Sequence, residues 1–308
     1  MSVALDVAII VVSIVVIGKG AAWLVDSAAK IARHLGISEL IIGLTVVALG
    51  TSAPEFGVTI LAALRGMGDI SVGNIVGSNI FNLGFILGGT AIIHSLRTTK
   101  LVIQRDGFFL LFGALLLTGM LWDLELTRPE GIVLFMLLMV YIGYLYWSRQ
   151  PIDAEIPTGA LRWWDPLLLV LGFGMVLGGS HFMVTSAVRI ARVVGISEWV
   201  IGATIVAAGT SAPEFATSLV AALRKRYGIS VGNLIGSDIF NLFGVLGLAA
   251  MLRNLPVDVS ARLNLVVLGM MVVLVLIFMR TGWRITRNEG IVLVLIGLVR
   301  WAYSFMAN

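Results

Sequence analysis

Two glutamates lie in the middle of long apolar segments, where a charged side chain is costly. Glu55 ends the run Gly-Thr-Ser-Ala-Pro-Glu that begins at Gly50, and Glu214 ends an identical run that begins at Gly209. An ionisable residue within a membrane segment is a functional candidate by default, because its charge must be paired or must serve an ion pathway. The duplication favours an ion site over the simpler alternative, a protonated glutamic acid that bonds a neighbouring helix.

A proline stands immediately before each glutamate, at Pro54 and Pro213. Proline has no N–H and its ring clashes with the carbonyl four residues earlier, so each helix should break there and release the carbonyls of residues 48–51 in the first copy. Released carbonyls, two carboxylates and nearby hydroxyls suit Ca²⁺, which takes about 6–8 oxygen ligands. The two charges neutralise one Ca²⁺ or are shared by Na⁺ ions or protons, as an antiporter requires. The hydroxyl candidates are Thr51, Ser52, Thr210 and Ser211.

A second duplicated motif follows each glutamate. Residues 73–82 read Gly-Asn-Ile-Val-Gly-Ser-Asn-Ile-Phe-Asn, and residues 232–241 repeat this sequence with three changes. Serine and asparagine at a four-residue spacing share one helix face, so each copy offers a hydroxyl and an amide oxygen. These candidate cation ligands are Ser78, Asn82, Ser237 and Asn241. Asp238, which replaces Asn79 of the first copy, is expected to support the site as a proton site or a second ion site. We expect Asn74 and Asn233 to join helices.

The composition is that of a membrane protein with many spanning segments. Of the 308 residues, 59% are hydrophobic and 12% are charged, against about 25% charged in a soluble domain. No basic block is present to bind nucleic acid, and the absence of cysteine excludes thiolate metal sites. Three scattered histidines without a nucleophile and base argue against an intramembrane enzyme. Ten apolar segments approach the roughly 20 residues that a spanning helix needs, at about 3–32, 39–64, 70–95, 101–122, 129–148, 164–191, 198–223, 229–252, 260–280 and 288–306.

The two halves of the chain are a repeat with an offset of 159 residues. Residues 43–83 and 202–242 are identical at 26 of 41 positions. Five helices are an odd number, so the second unit should enter the membrane upside down, as in many secondary transporters. The predicted units are residues 1–150 and 164–308, joined by a linker at 151–163. If both termini lie outside the cell membrane, thirteen Lys and Arg residues fall on the inner side and seven on the outer side. This orientation agrees with the excess of positive charge expected on the inner side.

The two motifs resemble the α-repeats of the Ca²⁺/cation antiporter superfamily, most closely its Na⁺/Ca²⁺ exchanger branch of prokaryotic type without a regulatory loop. The resemblance implies an all-α membrane protein of ten helices in two inverted repeats, with helices 2, 3, 7 and 8 broken. It implies a mid-membrane site in which Glu55 and Glu214 are the main ligands. It adds backbone or hydroxyl ligands from Ala48, Thr51, Ser52, Ala207, Thr210 and Ser211, and flanking ligands from Ser78, Asn82, Ser237 and Asn241.

The function that this resemblance implies is Ca²⁺ export driven by Na⁺ entry through alternating access, without a cofactor, catalysis, nucleic acid or an obligate protein partner. The lipid bilayer and the ions are its partners. Asparagine at both 82 and 241, where some relatives carry aspartate, argues against K⁺ cotransport. Exchange of Ca²⁺ for H⁺ remains the nearest alternative, and a cation channel is a disfavoured one. Near the end of the first helix, Asp26 and Lys30 stand four residues apart and are expected to pair with each other.

Overall fold

The computed structural model describes residues 3–148, 160–195, 201, 205 and 207–306. Most of the predicted linker at 151–163, and the first part of the predicted segment at 198–223, lie outside these residues. The helices are α1 (Val3–Leu35), α2 (Glu39–Thr51), α3 (Ala53–Leu64), α4 (Gly68–Ile93), α5 (Val102–Asp123), α6 (Arg128–Trp147), α7 (Asp165–Val193), α8 (Ala207–Thr210), α9 (Ala212–Leu223), α10 (Tyr227–Leu252), α11 (Ser260–Arg280) and α12 (Arg287–Met306).

The described part of the chain is therefore mostly helical, as predicted. Seven of its helices are long and apolar enough to cross a membrane, and the bent pair of α2 and α3 makes an eighth if it is one span. α9 is apolar but has only 12 residues, and α12 has 20 residues. The two helices that carry the Gly-Asn-x-x-Gly-Ser motifs, α4 and α10, are the most buried of the long helices.

The prediction that helices 3 and 8 are broken is wrong. α4 and α10 are each continuous and carry a π-helical turn, at Asn82–Ile86 and Phe240–Val245. Neither helix contains a proline to interrupt its hydrogen bonds. Instead, the carbonyl of Asn82 accepts from the N–H of Leu87, and that of Asn241 accepts from Leu246, each five residues on. Such a turn inserts one extra residue without ending the helix.

Two short antiparallel ladders connect the halves of the chain. β1 (Leu96–Arg97) pairs with β4 (Arg284–Ile285), and β2 (Glu125–Leu126) pairs with β3 (Leu255–Pro256). The repeat offset converts one ladder into the other, because 96 + 159 = 255 and 126 + 159 = 285. A two-fold axis between the repeats would therefore superpose one ladder on the other.

α1 and α7 pack against each other in antiparallel directions and are joined near both ends. Lys30 Nζ lies 2.7 Å from Asp165 Oδ1, and Arg189 lies 2.6 Å from Asp6 Oδ1. These two ion pairs occupy equivalent positions in the repeats, since 6 + 159 = 165 and 30 + 159 = 189. The expected pair between Asp26 and Lys30 does not form, because each side chain reaches a different helix; Asp26 pairs with Arg224.

A second polar contact holds α5 against α6. Asp106 is fully buried and accepts hydrogen bonds from Arg105 Nε at 2.6 Å and from Tyr141 Oη at 2.7 Å. Tyr141 stacks on Phe109, which also stacks on Phe243 of α10, with 4.5 Å between ring centroids in both pairs. The charge and the aromatic column together fix the outer helices of the first repeat to a central helix of the second.

Candidate ion-binding site

Each glutamate of the duplicated motif lies in the first turn of a helix, just after a break. α2 and α3 meet at Ser52 with a bend of 53°, and Ser52 leaves helical geometry at φ −77°, ψ 10°. Ser211, between α8 and α9, has φ −90°, ψ 8°. Pro54 is accommodated because the N–H groups of a first helical turn have no intrahelical acceptor. The break therefore positions Glu55 at a helix N-terminus, where the backbone dipole favours a negative charge.

The two motifs meet, and each glutamate is bound by a serine of the other repeat. Ser52 Oγ donates to Glu214 Oε1 at 3.0 Å, and Ser211 Oγ donates to Glu55 Oε1 at 3.0 Å. Glu55 is 1% exposed and Glu214 is fully buried. Two carboxylates thus lie together in a buried centre that neither half of the chain could form by itself.

Several oxygen atoms around this centre have no hydrogen-bond partner within the described part of the chain. They are Glu55 Oε2, Glu214 Oε2, Asn82 Oδ1, Asn241 Oδ1, Ser237 Oγ and Asp238 Oδ2. Buried polar atoms are nearly always satisfied by a partner, so this set is suited to a ligand that accepts electron pairs. A hard cation such as Ca²⁺ or Na⁺ has this property, and carboxylate, amide and hydroxyl oxygens are the ligands it prefers.

Neutral oxygens must complete any ligand set here. Among the described residues, no three His, Cys, Asp or Glu side chains lie close enough to hold a metal together. Asp238 therefore does not form a three-acid cluster with the two glutamates. Ser237 lies beside the Glu214 carboxylate. Thr210 lies beside the carboxylate of Glu55.

Two of the expected ligands, Ala48 and Ser78, are placed differently from the others. The prediction that the helix break frees the carbonyl of Ala48 from hydrogen bonding is wrong, because this oxygen accepts from Ser52 N at 3.0 Å and from Thr51 Oγ1 at 3.3 Å. Ala207, another expected ligand, begins α8. Ser78 lines a cavity of about 210 Å³ between α4 and α12, together with Arg300. No hydrogen bond within the described residues joins Ser78 to the glutamates.

The expected role of Asn74 and Asn233 as polar contacts between helices agrees with the geometry. Asn74 Nδ2 donates to Thr59 Oγ1 at 2.9 Å and to the carbonyl of Glu55 at 3.3 Å. Asn233 Nδ2 makes the equivalent bonds to Ser218 Oγ and to the carbonyl of Glu214. Each asparagine therefore fixes a glutamate-bearing helix to the helix that follows it.

Sequence reasoning missed how the residues at positions 79 and 238 connect the repeats. Asn82 Nδ2 donates to Asp238 Oδ1 at 2.9 Å, and Asn241 Nδ2 donates to Asn79 Oδ1 at 3.1 Å. Asn79 Nδ2 in turn donates to the backbone carbonyl of Asp238 at 3.0 Å. The offset 238 − 79 = 159 was visible in the sequence, but it did not indicate that equivalent positions touch. They touch because both motifs lie at the contact between the repeats.

Paired repeats, broken helices and a buried pair of glutamates with unsatisfied oxygens define a membrane transporter of cations. A family model described as "Sodium/calcium exchanger protein" matches residues 5–147 and 164–305. The chain belongs to this family of antiporters, which are not enzymes and whose ions are substrates.

Relatives and a solved structure agree with this membership. The chain is 39% identical over 300 residues to a protein named CaxA from Alkalimonas amylolytica, covering 93% of this chain and 94% of the relative. It is 32% identical over 334 residues to the sodium/calcium exchanger MaX1 of Methanosarcina acetivorans, covering 93% and 95%. A structure of the sodium-calcium exchanger NCX_Mj, soaked with zero Na⁺ and Ca²⁺, superposes with a TM-score of 0.86 at 32% identity, covering 98% of this chain and 99% of that one.

Proposed function

We propose that the chain is a secondary active antiporter that moves Ca²⁺ against Na⁺ by alternating access to one site in the middle of the membrane. The observation that carries this proposal is the pair of crossed hydrogen bonds, Ser52 to Glu214 and Ser211 to Glu55, each of which leaves one carboxylate oxygen without a partner. Two charges shared between two repeats neutralise one Ca²⁺ or two monovalent ions. Loads of both kinds therefore compete for the same groups, as exchange requires.

The proposed ligands are the residues expected from the sequence, with the two glutamates at the centre. The partner-free oxygens of Asn82, Asn241 and Ser237 support amide and hydroxyl ligation. The backbone or hydroxyl oxygens of the two broken segments complete the set: Ala48, Thr51, Ser52, Ala207, Thr210 and Ser211. The carbonyl of Ala48 binds the ion only after it gives up the hydrogen bond that it accepts from Thr51 Oγ1. Ser78 is retained as a ligand by its equivalence to Ser237, and it requires a rearrangement of α4 to reach the glutamates.

We infer ten spans in two inverted units, residues 1–150 and 164–308, from the ladders between loops. β1 and β4 pair, so the chain between Arg97 and Arg284 must cross the membrane an even number of times. Counting α8 and α9 as one span, the helices α5 to α11 give six crossings. The charge bias then puts β1 and β4 on the inner side and both termini outside the cell membrane.

The choice between Na⁺ and H⁺ as the driving ion is tested by flux. The protein in proteoliposomes should take up ⁴⁵Ca²⁺ when Na⁺ is imposed inside at fixed pH on both sides. Uptake under a pH gradient without Na⁺ would instead favour the alternative, Ca²⁺/H⁺ exchange through the same glutamates. Uptake that persists without either gradient and does not saturate would contradict antiport and favour a channel.

The ligand assignment is tested by removing one charge at a time. Glu55→Gln and Glu214→Gln keep the shape of the side chain but leave only one negative charge for a divalent ion. We expect each variant to lose ⁴⁵Ca²⁺ uptake, while Glu125→Gln, in the β2 ladder, serves as the matched control and keeps it. Full transport by either site variant would show that this carboxylate does not bind the ion.

A further inference from the structure

We propose that Asp238 is a positioning residue that sets which end of two ligand amides faces the ion. The proposal rests on the function proposed above and assigns Asp238 neither the proton site nor the second ion site that the sequence suggested. Its basis is the direction of the hydrogen bonds at the contact between α4 and α10. All the residues involved, Asn79, Asn82, Asp238 and Asn241, are at most 1% exposed.

An asparagine side chain has one donor end and one acceptor end, and a cation is bound only by the acceptor. Asn82 could present either end to the site. Its Nδ2 donates to Asp238 Oδ1, so this carboxyl oxygen is the acceptor. The amide is therefore held with its Oδ1 away from Asp238, and this oxygen has no other partner.

The second amide is oriented through one more step. The backbone carbonyl of Asp238 also only accepts, and it receives the Nδ2 of Asn79. Asn79 is thereby left with its Oδ1 free to accept from Asn241 Nδ2. The Oδ1 of Asn241 remains without a partner, as that of Asn82 does. Both chains of hydrogen bonds thus begin at Asp238, one at its carboxylate and one at its carbonyl.

The equivalent position in the first repeat shows which substitution of Asp238 is conservative. Asn79 occupies the position equivalent to Asp238 and already serves as the acceptor for an asparagine, so an amide oxygen suffices at this position. Asp238→Asn should therefore keep the acceptor for Asn82 and change the half-saturating Ca²⁺ concentration by less than about threefold. Asp238→Ala removes the acceptor and should raise this concentration about tenfold, the effect of leaving the buried Nδ2 of Asn82 without a hydrogen-bond acceptor.

Measurements of ⁴⁵Ca²⁺ uptake in proteoliposomes, with the half-saturating concentration and the maximal rate taken separately, test the proposal. If Asp238 acts through Asn82, Asp238→Ala should have little further effect once Asn82→Ala is present, because the two changes remove one function. The exchange of both residues, Asn79→Asp with Asp238→Asn, should keep near-normal affinity, since it moves the carboxylate to the equivalent position of the other repeat. Equal losses in Asp238→Asn and Asp238→Ala, or a full tenfold loss on the Asn82→Ala background, would overturn the proposal.

A binding measurement separates failure of this proposal from failure of the proposed function. Thermal unfolding of the detergent-solubilised protein, with and without CaCl₂, reports Ca²⁺ binding without transport. A wild-type protein that neither transports nor is stabilised by Ca²⁺ would refute the proposed function. A wild-type protein that does both, with an Asp238→Ala variant that matches it in both assays, would refute only the positioning role.

Discussion

Removal of the two crossed serine hydroxyls tests whether the repeats contribute equally to one site. Ser52→Ala takes a donor from Glu214, and Ser211→Ala takes the equivalent donor from Glu55. Both hydrogen bonds measure 3.0 Å and both serines are fully buried. A hydrogen bond to a charged group is worth about 1.5–3 kcal/mol, and about 1.4 kcal/mol corresponds to a tenfold change in affinity. Each variant should therefore raise the half-saturating Ca²⁺ concentration about 10- to 100-fold.

The assay is ⁴⁵Ca²⁺ uptake into proteoliposomes over a range of Ca²⁺ concentrations with a constant Na⁺ load inside. Ser180→Ala is the matched control, because Ser180 is also buried and its hydroxyl has no hydrogen-bond partner among the described residues; we expect this variant to transport normally. Because the geometry is the same in both repeats, the two site variants should agree within about threefold. If one of the two variants had a strongly raised half-saturating Ca²⁺ concentration and the other a normal one, the idea of a single shared site would be refuted.

Two further predictions concern the packing that positions the site. Gly236→Ala should destabilise the fold and reduce transport, because the added Cβ would lie 2.6 Å from the backbone of Leu44 and the two helices would have to separate. Gly119→Ala is the control in both uptake and thermal unfolding, because Gly119 has open space around it. Lys30→Gln should lower the unfolding free energy by about 1–3 kcal/mol, since it leaves the buried Asp165 without its ion pair. Lys30→Arg should keep that stability, because arginine occupies the equivalent position in the second repeat, and a melting temperature unchanged by Lys30→Gln would contradict this reasoning.

The parts of the site that follow from local sequence could be predicted. A proline before a glutamate in an apolar segment indicates both the helix break and the need to satisfy a charge, and its duplication indicates two halves of one site. The carbonyl of Ala48 was predicted wrongly because one effect of proline was considered alone. The chain bends at Ser52, but the N–H of Ser52 still reaches that carbonyl, so the helical bond is kept.

Contacts between distant segments could not be predicted from either segment alone. Asp26 and Lys30 have the spacing of a helical ion pair, but Lys30 binds Asp165 on another helix, 135 residues away. The choice depends on how α1 and α7 pack, which no local pattern encodes. The continuity of α4 and α10 was missed for a different reason: a π-helical turn inserts an extra residue into a helix, and neither helix contains a proline that would mark the position.

The crossed hydrogen bonds also suggest why a pair of repeats is suited to exchange. Each glutamate belongs to one repeat by its backbone and contacts the other through its hydrogen bond, so movement of either carboxylate away from the opposite repeat breaks that bond. An ion bound between them would replace repulsion between two like charges by attraction to a common cation. The free energy of the contact between the repeats would then depend on which ion is bound. A ligand can shift a conformational equilibrium only by its difference in affinity for the two states, and under the proposed exchange a site shared between the repeats would supply such a difference.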